Sequence, residues 1–385
     1  MNIRKNNLLN GGLSLLVKMG DVPVGMLAQT SDGAYVFQYS KIWQQEGFSI
    51  SPFSLPLNNA IQSAQTNIFD GLHGIFSDSL PDGWGRLLVD RMLRRKGFNP
   101  ATITPLERLA LVGNSGMGAL QYYPQFNLNE PSSLVEDFDR VAQACADVLH
   151  EHEIEDDSLF DELFNAGGSS GGARPKVFFE DVGTSWLVKF PSSYDPSYIG
   201  EMEYEYSCVA RECGIDVPEA RLFPSKKCSG YFGVQRFDRI GNSRIHMASV
   251  SALLETSHRV PNLDYMTLIK LTQRLTEKFS EIEKLFALMC FNVFAHNHDD
   301  HSKNFSFLYR NCEWGLAPAY DLTYSHSFGG EHSTTVAGAG LPGMEDIIKV
   351  GKQGGIPERK ARSVAEEIRL FAEPLAKKYA TLEKC

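Results

Sequence analysis

The 385-residue chain contains no C-x-x-C pair, no Walker A string, no apolar run of membrane length and no excess of positive charge. Each absence excludes something. The seven cysteines (Cys145, Cys208, Cys213, Cys228, Cys290, Cys312 and Cys385) are odd in number and scattered, so neither a zinc knuckle nor a disulfide framework is indicated. The longest apolar run, Leu285 to Ala295 with Asn292 inside it, is about half of what a bilayer span requires. Lys18 and Asp21 interrupt the apolar stretch near the start and no small-residue cleavage site follows. No signal peptide is therefore expected, and the location expected is cytoplasmic. Lys plus Arg number 37 against 47 Asp plus Glu, a net charge of −10. An acidic chain attracts no nucleic acid by its overall field, so any such binding would need a local basic patch or a partner.

What the chain does contain is enough apolar material for two or three domains: 43% of residues are apolar and 11% aromatic. Residues 11–60 alternate between apolar and polar and read as short antiparallel strands, GFSISPFSLPL included. SLPDGWGRLLVDRMLRRKG reads as a helix begun at Pro81-Asp82 and stopped by Gly97, and LERLALVG as a second. Residues 133–165 read as one more helix followed by an acidic, solvated connector. RPKVFFED and TSWLVKFPSS predict a hairpin, MEYEYSCVARECGI a helix ended by Gly214, and SGYFGVQRFDRI a third strand. Beyond residue 262 the periodicity is mainly helical. The order strand, helix, strand, helical half predicts an α+β, bilobal protein-kinase-like fold. Its parts are an N-terminal α+β subdomain (1–125), a β-rich small lobe (126–240) and an all-helical C-terminal lobe (241–385).

Three segments carry candidate chemistry. In NAGGSSGGARPK, Asn165 to Lys176, four glycines and two serines free the backbone to turn its amides toward phosphate oxygens. A flexible hairpin turn is the plainer alternative. Lys189 in WLVKF shares a strand face with Leu187, which aims an ammonium at something other than bulk water; an edge lysine reaching out to solvent is the alternative. Glu201, Glu203 and Glu205 on the following helix could partner it.

The densest cluster is AHNHDDHSKNF, Ala295 to Phe305, followed by PAYDL, Pro318 to Leu322. Asp299 and Asn304 have the five-residue spacing of a kinase base and metal ligand, and Asp321 supplies a second, downstream ligand. Hard oxygen ligands of this kind suit Mg²⁺. The same segment satisfies H-x-H-x-D-H through His296, His298, Asp300 and His301, the pattern of a dinuclear zinc hydrolase. A capped helix end with solvated polar residues is a third reading.

Taken in order, GGSSGGARPK, WLVKFP, EMEYEYSCVARECGI, VQRFDR, NHDDHSKNFSF and LAPAYDLTYS resemble the HipA family of bacterial serine/threonine kinases, toxins of type II toxin–antitoxin systems. VGML, FSISPFSLPL and FSDSLPDGWGRLLVDRMLRRKG are similar to that family's N-terminal subdomain, so the resemblance covers nearly the whole chain. It implies an ATP- and Mg²⁺-dependent protein kinase with Asp299 as catalytic base and Asn304 and Asp321 as metal ligands. It implies Lys189 on the phosphates with Glu203 as its helix partner, and Gln235 and Phe237 at the adenine. Ser169, Ser170, Gly171, Gly172 and Ala173 would cover the nucleotide, while His301 and Lys303 shape the catalytic loop or touch phosphate. Ser169, or the adjacent Ser170, would be the self-inactivating phosphorylation site. The implied partners are a helix-turn-helix antitoxin of the HipB type, operator DNA through that antitoxin, and an aminoacyl-tRNA synthetase as protein substrate. The family often has Glu where Gln235 stands, and HMASVSALLE departs from its usual segment. A catalytically silent HipA-like binding module is the remaining alternative.

Overall fold

The structure, a computed structural model, describes residues 13–64, 67–128, 137–150, 157–326 and 329–383. The start of the chain, Cys385 and most of the acidic connector lie outside the described residues. Alternation in the first segment produces strands Ser14–Met19, Val22–Gln29 and Tyr35–Tyr39, which bury Leu15, Val17, Leu27 and Phe37 on one face. With Gln62–Ser63 and Leu120–Tyr123 they form an antiparallel sheet in the order Gln62–Ser63, Tyr35–Tyr39, Val22–Gln29, Ser14–Met19, Leu120–Tyr123. The expected strand in GFSISPFSLPL is a folded loop with one isolated bridge, Ser51 to Leu55. Two prolines remove ladder donors there, and the loop wraps the Tyr39 hydroxyl, which donates to the Leu55 carbonyl and accepts the Ile50 N–H.

Helix Gly83–Arg95 starts after Asp82, as its sequence predicts, and helix Pro105–Val112 is closed by a Thr104/Glu107 capping box. Residues 133–165, expected as a helix followed by an acidic connector, contain two helices, Phe138–Leu149 and Asp157–Gly167, and the second runs directly into the Gly-rich loop. Part of the acidic stretch is thus helical: Leu159, Phe160 and Leu163 make it amphipathic and bury one side.

The small-lobe sheet runs Lys176–Asp181, Thr184–Lys189, Tyr231–Gln235, Ala220–Phe223, all antiparallel. Val177, Phe179, Trp186 and Val188 on its back join Trp84, Leu88, Met92 and Phe138 in one core. A second, larger core runs from the N-terminal sheet into the C-terminal lobe. In that lobe, helices Tyr265–Thr276, Phe279–Phe294 and Glu358–Leu382 pack together.

The expectation of an all-helical C-terminal lobe is corrected. His246–Ser249, Ser306–Arg310 and Glu313–Leu316 form a three-stranded antiparallel sheet there. The hairpin turns at Asn311 and Cys312, both with positive φ (54° and 63°), as a two-residue primed turn requires. Cysteine in a place usually taken by glycine conceals that turn in the sequence.

The two cores also make the fold sensitive to acid. His73, His246 and His298 are at most 7% exposed, and burial pushes each down to about 4. Unfolding returns them to about 6.5, so the unfolded chain takes up protons first as pH falls. Their contribution is complete above about pH 6.5 and shrinks as pH drops toward about 4. Acidification from about pH 6.5 to about pH 5 is expected to lower the stability by a few kcal/mol, at about 1.4 kcal/mol per proton per pH unit. A urea midpoint that stays flat across this window would contradict the assignment.

Candidate active site

Helix Phe279–Phe294 is buried on nearly every side and ends at Ala295, whose carbonyl accepts the Tyr206 hydroxyl at 2.6 Å. His296 then turns the chain with φ +53°, and residues 297–305 return toward the small lobe. Within this turn Asn304 Nδ2 donates to the Asp299 carbonyl at 2.6 Å, and the Asp299 N–H donates to Ser325 Oγ at 3.0 Å. The main chain of Asp299 is therefore held on both sides while its side chain remains 61% exposed in the cleft. Partial desolvation pushes the Asp299 carboxyl up, His301 opposes this, and the Asp321 carboxylate reinforces it. His301 Nε2 lies 3.9 Å from Asp299 Oδ1.

Asp321 reaches the same cleft from the segment after strand Glu313–Leu316, with a left-handed backbone, φ +54°. Such a conformation in a non-glycine residue costs on the order of 1–3 kcal/mol and is kept only where its surroundings over-determine it. Here the determinant is charge. Lys189 Nζ donates to Asp321 Oδ1 at 2.5 Å and to Glu203 Oε2 at 2.7 Å. Burial alone would raise Asp321, but the Lys189 and Lys176 ammoniums outweigh it and hold its carboxyl far below the usual carboxylate range. Likewise burial disfavours the Lys189 charge, and Asp321 and Glu203 outweigh that cost. Glu203 gives its other oxygen to Arg174 Nη1 at 2.9 Å, and Arg174 also pairs with Asp195.

A cleft of about 760 Å³ runs between the lobes. Asp299, His301, Lys303, Asn304, Asp321, Lys189 and Glu203 line it, as do Gln235 and Phe237 from the strand and turn opposite. Apolar Leu187, Pro218, Phe232 and Val234 lie beside those two. The Gly-rich loop covers the cleft with Ser169, Gly171, Gly172 and Ala173, and Gly172 has φ +83°. Ser169 Oγ donates to the Ser115 carbonyl at 3.0 Å. Ser170 differs from its neighbours: it is fully buried, its hydroxyl donates to the Gly167 carbonyl at 2.6 Å, and it does not line the cleft.

The donor set fits a hard cation. Asn304 spends its amide N–H on Asp299, which leaves its side-chain oxygen available, and Asp321 Oδ2 is not the oxygen that Lys189 takes. The H-x-H-x-D-H string does not converge on a comparable site. Asp300 is buried and accepts from the Tyr265 hydroxyl and the Thr334 N–H, with His332 Nδ1 at 3.1 Å, whereas His301 faces the cleft beside His258. His298 packs on His296 and His332. Among the described residues, no group of three or more His, Cys, Asp or Glu side chains is placed to hold a metal ion.

Several charged residues of the cleft escaped the sequence reading, Lys176, Arg174, Asp195 and Asp82 among them. Lys176 stands directly across the ladder from Lys189, so both ammoniums share the cleft face. Burial pushes Lys176 below the ordinary lysine value, Asp321 partly offsets that, and Lys189 adds to it. Pairing register, the one signal that could have found Lys176, becomes available once the hairpin is drawn. Arg174, Asp195 and Asp82 carry no local signal for their roles, because their partners lie 21 to 221 positions away.

The comparisons with known proteins bear on this geometry. Residues 15–123 match the HipA N-terminal domain and residues 168–373 the HipA-like C-terminal domain. The chain belongs to the HipA family. A relative from Sinorhizobium fredii, described as putative kinase Y4dM, is 23% identical over 323 residues, covering 80% of this chain and 76% of its own. The HipA of Shewanella oneidensis MR-1, solved with HipB and operator DNA, superposes with a TM-score of 0.72 at 16% identity. That match covers 94% of this chain and 90% of the Shewanella protein, and it establishes a shared HipA fold. The bilobal α+β architecture anticipated from the order of elements is therefore present, with the strand correction given above.

Proposed function

We propose that this HipA protein is an ATP- and Mg²⁺-dependent serine/threonine protein kinase and the toxin of a type II toxin–antitoxin pair. The observation that carries the reading is the meeting, in one cleft, of Lys189 paired to Glu203, of Asp321, and of the Asp299–Asn304 turn beneath a Gly-rich loop. The apolar wall around Leu187, Val234 and Phe237 suits an adenine, with Gln235 at the hinge between lobes. Lys189 and Lys176 face the phosphates. Asn304 and Asp321 would hold Mg²⁺, which neutralises charge on the phosphoryl oxygens. Asp299 accepts the proton of a Ser or Thr hydroxyl; the new O–P bond forms to the γ-phosphorus as the β–γ bridge breaks, and ADP leaves with the electron pair. The name given to the Sinorhizobium relative supports the activity.

The Shewanella complex supports a HipB-type antitoxin as partner, with operator DNA bound through it. In that arrangement an acidic chain could join operator DNA through its partner, with no need of a basic face of its own. We take an aminoacyl-tRNA synthetase as the protein substrate on the family resemblance alone. Ser169 would be the site of self-inactivation. A phosphoryl group there adds about −1.5 to −2 charges and displaces the hydroxyl from Ser115, opening the loop.

Incubation of the purified protein with Mg²⁺ and labelled ATP, followed by peptide mapping, tests both parts. Label at Ser169 in the wild type and prolonged transfer activity in Ser169→Ala are the expected results. Absence of any transfer to the protein itself or to a synthetase refutes the reading.

A further inference from the structure

We propose that Asp82, in the N-terminal subdomain, is the positioning residue that seats the Gly-rich loop over the cleft and ties it to the catalytic turn through Lys303. The inference deepens the kinase reading and rests on it for its kinetic consequence. Asp82 occupies the N-cap of helix Gly83–Arg95, where an aspartate ordinarily accepts an amide of its own first turn. It makes no such bond. Its two oxygens go elsewhere: Oδ1 accepts the N–H of Gly172, and Oδ2 accepts Lys303 Nζ at 2.6 Å. A local stabilisation is thus given up for two contacts 90 and 221 positions away in the chain.

The residues after Asp82 complete the seat. The Trp84 N–H donates to the Gly172 carbonyl at 3.0 Å, so Gly172 is gripped at both its amide and its carbonyl. Trp84 Nε1 donates to the Lys176 carbonyl at 3.0 Å, at the far end of the loop. A Cβ added at Gly83 would lie 2.4 Å from the Gly172 oxygen, and one added at Gly85 would lie 2.2 Å from the Ser170 oxygen. These two positions are glycine because loop backbone lies against them. Gly83 also has φ +42°. The string Asp82-Gly83-Trp84-Gly85 is a platform shaped to the loop.

One carboxylate therefore joins three parts of the molecule: the N-terminal subdomain, the small-lobe loop and the catalytic turn of the C-terminal lobe. Asp82 and Lys303 both line the cleft, and their side chains are 23% and 21% exposed.

The test uses the full-length protein carrying Asp82→Ala or Asp82→Asn. Hydrogen exchange of the amides in residues 168–174 should speed up about tenfold in Asp82→Ala, with the other segments unchanged. The KM for ATP should rise about tenfold with kcat within about twofold. Asp82→Asn keeps an acceptor for Gly172 and loses only the charge pairing with Lys303, so both effects should be smaller in it. Unchanged loop exchange in a folded variant overturns the proposal. Faster exchange throughout the chain overturns it as well, since that would make Asp82 a residue of general stability. If the wild type transfers no phosphoryl group, the kinase reading fails, and loop exchange still decides whether Asp82 seats the loop.

Discussion

Replacing Asp299 with asparagine is expected to slow phosphoryl transfer by about 10³-fold, within the range assigned to a positioned general base, while ATP affinity stays within about threefold of wild type. The geometry separates the two effects. Asn304 and Ser325 bind the carbonyl and amide of Asp299, so the turn keeps its shape without the carboxylate. The side chain makes no buried contact that the asparagine would lose, being 61% exposed. What disappears is the proton acceptor. Single-turnover transfer and nucleotide titration on the same preparation check this. Wild-type turnover in the variant would remove Asp299 from the mechanism.

Glu203→Ala is expected to cost about 3–5 kcal/mol of folding stability, the range for removing one member of a buried ion pair. Glu203 is 2% exposed and receives Lys189 on one oxygen and Arg174 on the other. Without it, Arg174 keeps Asp195 while Lys189 is left with Asp321 alone. The second consequence is functional: Lys189 pairs fully with the carboxylate proposed to hold Mg²⁺, and nucleotide affinity should fall together with stability. Glu203→Gln retains hydrogen-bond acceptance and should fall between the two. Urea denaturation and nucleotide titration read the two effects separately. A stability loss below about 1 kcal/mol would mean that the cluster is not held as a buried ion pair.

The parts of the site legible in the chain were those whose chemistry is local. Asp299 and Asn304 are five residues apart on one turn, and the hydrogen bond between them is a property of that spacing. Lys189 was visible because strand alternation places it on the face of Leu187 and opposite Val188. The strands of the C-terminal lobe were not visible, because Asn311-Cys312 lacks the glycine that usually announces a primed turn. The loop at 48–57 misled in the opposite sense: its apolar residues alternate, but prolines and the Tyr39 hydroxyl hold it out of a ladder. Ser170 could not be told from Ser169 by position; their hydrogen-bond partners and the cleft lining separate them.

The zinc reading illustrates the same limit. His296, His298, Asp300 and His301 satisfy a metal-binding spacing, yet backbone direction turns Asp300 into a buried network with Tyr265 and Thr334 while His301 enters the cleft. Spacing along a chain does not specify which way successive side chains point through an irregular turn.

Composition and pattern established an acidic chain without membrane-length apolar runs, part of the order of strands and helices, and the residue types available for phosphoryl chemistry. Those are consequences of nearest-neighbour sterics, periodicity and charge, which act over a few residues. Packing alone brought Lys189, Glu203 and Asp321 together, placed Lys176 opposite Lys189, and laid the loop on Asp82 to Gly85. Those contacts span up to 221 positions, and they exist only because burying two apolar cores forces the distant segments into a common cleft.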